Sequence, residues 1–128
     1  VSEELRTEIE ELAKSNYILY IGWQKTSEIS NYFISSDIAF FPGTHSVLWE
    51  QSAALGLPGV FKYWEGMQHM DIGGNSIYLK EINENTIKET LLTLYNNPDV
   101  LTKMTVIAQK EGMKYFSYFD IAKRAIEQ

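Results

Sequence analysis

The stretch FFPGTHSVLWEQSAALGLPGV, residues Phe40 to Val60, decides the fold. An apolar, β-rich run stops at Pro42-Gly43, where the missing proline N–H and the glycine end a strand. Polar Thr44-His45-Ser46 follows, then a segment rich in Ala and Leu that reads as a helix stopped by Gly56, and Pro58-Gly59-Val60 opens another apolar run. Strand, turn, helix and strand in this order are the unit from which parallel α/β sheets are built. One carboxylate, Glu50, interrupts the apolar helix.

The same alternation extends in both directions. Upstream, Leu5, Ile9 and Leu12 recur at helical spacing behind Ser2, a suitable N-cap. YILYIG, Tyr17 to Gly22, has the length and two-sided apolar character of a buried parallel strand. TSEISNYFISS carries Ile29, Phe33 and Ile34 on one stripe, with Thr26 or Ser27 as cap, and DIAFFP, Asp37 to Pro42, is the second strand. Downstream, PGVFKY and SIYLK are strands separated by the glycine-punctuated loop Trp64 to Asn75. After them the pattern is wholly helical: Ile87, Leu91 and Leu94 share a face, Pro98 opens a second helix, and SYFDIAKRAIEQ groups Phe119, Ala122 and Ile126. The expectation is a single α/β domain over residues 1–128, a Rossmann-like parallel sheet with helices on both faces and C-terminal helices. Four strands are fewer than the usual five or six, so the missing strand or strands are expected before Val1.

The 128 residues have 45% hydrophobic and 22% charged side chains, a composition that folds rather than stays disordered. A net charge of -6 with no Lys/Arg cluster argues against nucleic-acid binding. There is no cysteine, so disulfides and thiolate metal sites are excluded and a reducing compartment, the cytoplasm, is the expectation. No apolar run approaches the roughly 20 residues that span a bilayer, which leaves peripheral membrane association at most.

In open α/β sheets ligands bind beyond the carboxyl ends of the strands. Gly43 lets backbone come close to a ligand there, and Thr44, His45 and Ser46 offer hydroxyls, an imidazole and helix N–H groups suited to a phosphate or diphosphate. Glu50 lies one helical turn after Ser46, where it can accept hydrogen bonds from ribose hydroxyls. The plainer alternatives are a turn, a helix cap and a carboxylate favoured by the helix start. At the end of the preceding strand, Trp23 can stack on a base and Gln24 can bond its edge; a Trp that merely covers the core fits the sequence equally well. His69 and Asp71 share one loop without a second His nearby in sequence, which is weak support for a metal or catalytic pair; with no Asp-x-Asp motif either, an obligatory divalent metal is not expected. His45 is the better chemical candidate.

YIGWQKTSEISNYFISSDIAFFPGTHSVLWEQSAALGLPGV, the Gly-rich loop, NSIYL and INENTIKETLLTLYNNPDVLTKM together resemble the C-terminal half of nucleotide-sugar glycosyltransferases with two Rossmann-like domains, the GT-B type, and within it the group 1, retaining-like branch. The resemblance covers nearly the whole chain and rests on the order of its segments. It implies a donor-binding domain whose Glu50 holds the ribose, whose Gly43 to Ser46 turn meets the diphosphate, whose Trp23 and Gln24 contact the base, and whose Gly73-Gly74 loop lies near the donor sugar. The partner so implied is a nucleoside-diphosphate sugar, a substrate and not a cofactor, in surface polysaccharide or glycoconjugate synthesis. A sugar, lipid-linked or protein acceptor would be bound by an N-terminal domain preceding this chain. Two positions depart from the pattern. The earlier acid of the retaining branch falls on Pro42, so either the branch differs or Thr44 or His45 takes part of that role, and the stereochemical outcome is open; the Arg/Lys pair of many such enzymes has no counterpart. Other readings are a nucleotide-sugar epimerase on the same scaffold, a flavodoxin-like binding domain, or an interaction domain using exposed Trp and Tyr residues.

Overall fold

Alternation of side chains along neighbouring strands organises the molecule. In the computed structural model, which describes residues 2–127, three short strands form one parallel sheet: β1 (Ala39–Phe41), β2 (Gly59–Lys62) and β3 (Ser76–Leu79), in that order. The register sets Phe41 beside Phe61 and Phe61 beside Tyr78. Because side chains alternate across a strand, this aromatic row lies on one face, with ring centroids 6.0 and 6.1 Å apart. Phe40, Val60 and Ile77, one residue out of step, occupy the other.

Each face takes its own helical cover. On the aromatic side, Trp49 and Ala53 of α3 (Leu48–Ala54) pack with Phe61, Met70 and Phe116. On the opposite side, Leu94 of α4 (Glu84–Asn96) and Met104 of α5 (Pro98–Ile107) close over Val60 and Leu79. The expected α/β class with helices on both faces is therefore present as a small three-stranded parallel sheet. Gly59 serves the aromatic side by absence: a Cβ there would lie 2.2 Å from the Phe61 ring.

Helix ends follow local chemistry. In α1 (Glu3–Leu12) the Ser2 hydroxyl accepts the Leu5 N–H, as expected, and Asn83 caps α4 through Thr86. Gly56, at φ +78°, stops α3: its N–H reaches the Ala53 carbonyl and the Leu57 N–H reaches that of Ser52, the pair of bonds made by a left-handed C-terminal glycine. α2 (Thr26–Ile34) departs from expectation, since its cap position is Lys25 and no side chain closes it. α5 runs on through a π-helical turn, Ala108–Gly112, into α6 (Met113–Tyr115), and the buried Ala108 and Gly112 let this segment approach α3 closely.

Two expectations are corrected. Tyr17 to Gly22 is not a strand: it joins no ladder, and Tyr17 is 97% and Leu19 84% exposed. An apolar run becomes a buried strand only if something covers both faces, and the helix that precedes it, α1, buries none of its residues. The described sheet consequently has three strands and not four. The second correction concerns α7 (Tyr118–Ile126): Phe119 and Ile126 are exposed instead of packed, and this helix buries no side chain. Leu5, Leu12, Ile34 and Leu91, each placed on an apolar helix stripe, are likewise exposed. Val1 and Gln128, the ends assigned above, lie outside the described residues.

Candidate functional site

Parallel strands β1 and β2 are neighbours, so the loops that leave their carboxyl ends meet above the same sheet edge. The first loop carries His45 and leads into α3, whose first turn holds Glu50. The second, between β2 and β3, carries His69. They converge on one oxygen: His45 Nε2 lies 2.6 Å and His69 Nε2 2.8 Å from Glu50 Oε1. The two imidazole rings are 5.7 Å apart and inclined at 67°.

The second loop is held by what flanks His69. Met70, next in sequence, is fully buried in the aromatic core. Asn75, also buried, ties the loop to itself: its Oδ1 accepts the Ile72 N–H at 2.6 Å, and its Nδ2 donates to the Met70 carbonyl at 2.9 Å and to Ser76 Oγ at 3.2 Å. Asp71 accepts the amides of Gly74 and Asn75, closing the turn through Gly73 and Gly74, both at positive φ. On the other side, the edge of His45 rests on Trp49 with centroids 5.0 Å apart, and His69 stands against Phe116 at 6.5 Å. The histidines are thus positioned by packing as well as by the carboxylate.

Burial alone would raise the Glu50 pKa; hydrogen bonds from His69 and then His45 outweigh it and hold the carboxyl below its ordinary 4.5. An ionised carboxylate only accepts, so each imidazole presents Nε2–H to it. Oε2, by contrast, is buried without a hydrogen-bond partner. The side chains of Glu50, His45 and His69 are 27%, 32% and 37% exposed, which leaves the cluster open to solvent.

Glu50 also borders a groove of about 420 Å³ shared with Thr26, Ser30, Val47, Phe116, Tyr118 and Ile121. Trp23 and Gln24 lie in a separate one of about 320 Å³, walled by Ile29, Tyr32, Phe33, Phe41 and Leu48. There Trp23 is fully exposed, while Gln24 is engaged locally, donating to the Ile21 carbonyl and accepting from the Tyr32 hydroxyl. Of the residues expected at the site, His45 and Glu50 are brought together, while Gly43, Thr44 and Ser46 lie on the adjoining turn, with open space beside Gly43 and Thr44 exposed. Trp23 and Gln24 occupy the neighbouring groove across α2. A larger depression of about 600 Å³ runs along one face of α1 between Glu4 and Leu12; a single helix face lined with glutamates encloses nothing and carries no convergent chemistry.

Sequence spacing discounted His69, because its partner lies 24 positions away. The signal that finds it is topological: loops following adjacent parallel strands must meet. The contributions of Phe116, Tyr118 and Ile121 to the groove carry no comparable signal. Compared with protein-family models, with curated proteins and with solved structures, the chain gives no significant match. Among the described residues no helix is long and apolar enough to cross a membrane.

Proposed function

We propose that the chain is the nucleotide-sugar donor-binding domain of a glycosyltransferase of the two-Rossmann-domain, GT-B type, acting in surface polysaccharide or glycoconjugate synthesis. One observation carries the reading: an ionised carboxylate, Glu50, stands in the first turn of the helix after β1, at the carboxyl end of a parallel sheet and on the wall of a groove. That is where α/β sheets take their ligands, and a carboxylate can accept from ribose hydroxyls once an imidazole on Oε1 gives way.

In this reading the exposed Gly43 to Ser46 turn meets the diphosphate, and Trp23, standing free in the adjoining groove, stacks on the base. His45, bonded to Glu50, orients the carboxylate and is the nearest titratable group to the diphosphate turn. The chain's contribution to transfer is to hold the donor and to stabilise the departing nucleoside diphosphate; the acceptor and any catalytic base come from a second domain, and the 128 residues alone do not transfer sugar. A nucleotide-sugar epimerase on the same scaffold is the second reading, favoured by the presence of two imidazoles on Glu50.

Titration of the chain with UDP, GDP and ADP, followed by calorimetry, tests the proposal. Saturable binding of one nucleotide, weakened at least tenfold in Glu50→Ala, supports it. Absence of binding by all three, or equal binding by the variant, overturns it.

A further inference from the structure

We propose that His45, Glu50 and His69 form a binding site for a divalent transition-metal ion, zinc foremost. The three side chains come from two loops and a helix, yet their ligand atoms all lie within 4.8 Å of one another. Two imidazole nitrogens and one carboxylate oxygen are the donor set of open zinc sites, which keep a fourth position for water or a ligand. Calcium and magnesium prefer oxygen donors throughout, so the nitrogen-rich set selects against them.

Both Nε2 atoms already point at Oε1, each through a proton that an incoming ion would replace. Zinc bonds of about 2.0–2.2 Å set tetrahedral ligands roughly 3.3–3.5 Å apart, so the two N···O separations open by less than about 1 Å on binding. Glu50 Oε2, buried without a partner, is a second and unspent acceptor of the same carboxylate. Around the ligands, Trp49 and Phe116 form an apolar shell, and the buried Met70 and Asn75 fix the loop from which His69 projects. Such outer support is what keeps metal ligands in place between binding events. The partial exposure of all three side chains gives the ion its route in.

The metal site uses the carboxylate that the nucleotide-sugar reading gives to ribose, so the test is run without nucleotide and reads metal binding alone. The 128-residue chain, free of any histidine tag and stripped with chelator, is titrated with Zn²⁺ by calorimetry and with Co²⁺ by visible absorption. The expected result is one ion per chain, an intense tetrahedral Co²⁺ spectrum, and no comparable binding of Mg²⁺. His69→Gln and His45→Gln keep an N–H donor for Glu50 and hence the fold, checked by circular dichroism, but lose a ligand; zinc affinity falls by more than about 100-fold in each, beyond the cost of an outer partner. No saturable binding, or affinity within about threefold of the parent in both variants, overturns the proposal.

Discussion

Replacing Asn75 tests how the second loop delivers His69. The side chain is 1% exposed and makes three hydrogen bonds, to the Ile72 N–H, the Met70 carbonyl and Ser76 Oγ. At about 1 kcal/mol net for each bond, Asn75→Ala costs about 3 kcal/mol. Asn75→Asp has nearly the same shape and is expected to cost more. Its second oxygen replaces Nδ2 and faces the Met70 carbonyl, so two donated bonds vanish and a carboxylate is buried without a cation. Turning the Ser76 hydroxyl toward the new oxygen does not rescue it, because that hydroxyl already serves Met70 at 3.0 Å. Urea unfolding at pH 7, followed by tryptophan fluorescence and far-ultraviolet circular dichroism, gives the ranking parent, Ala, Asp in falling stability. Against a total of roughly 5–15 kcal/mol for a domain, the loss is large. An Asp variant as stable as the parent, or more stable than Ala, would show that the Asn75 amide does not hold this loop.

Other positions separate packing from chemistry. Gly56→Ala should cost roughly 1–2 kcal/mol, since its φ of +78° strains any Cβ and Met113 Sδ lies 2.9 Å from the new atom; a denaturation midpoint equal to the parent's contradicts this. Burial pushes the Tyr78 hydroxyl from its ordinary 10.0 to about 12, against the influence of the Met70 and Asp71 backbone, and the hydroxyl has no hydrogen-bond partner of normal geometry. The folded-state value is the higher one, so the fold disfavours the phenolate: this group leaves stability unchanged below about pH 10 and lowers it as pH rises toward 12. Tyr78→Phe should be neutral or slightly stabilising at pH 7 and should flatten that alkaline decline in a series of melts, and an unchanged decline argues against it. Trp23→Ala should leave stability within about 0.5 kcal/mol, as the side chain is fully exposed. The same variant should weaken nucleoside-diphosphate binding roughly tenfold to a hundredfold, the worth of stacking one base; parent-like affinity would remove Trp23 from the site.

Local chemistry made the centre of the fold readable. The strand, turn and helix from Phe40 to Gly56 could be placed because Pro42-Gly43 and Gly56 mark their ends, and because the unbroken apolar runs on either side match strands covered on both faces. Elements whose burial depends on a neighbour were less legible. Tyr17 to Gly22 has every local property of a strand, but exposure is decided by what lies across from it. The apolar stripe of α7 is likewise correct as a stripe and unpartnered as a surface. At the candidate site Glu50 stood out as a carboxylate among apolar residues, whereas the role of His69 needed the strand order: only adjacency of β1 and β2 joins residues 45 and 69.

The most direct test of the donor-site account is a ¹H–¹⁵N spectrum of the chain recorded during titration with whichever of UDP, GDP and ADP binds. A donor held at this site shifts only the amides of residues 43–46, the backbone of Glu50 and the Trp23 indole, saturating together. Shifts centred on α1 or on the outer face of α4, with residues 43–50 unmoved, would contradict it.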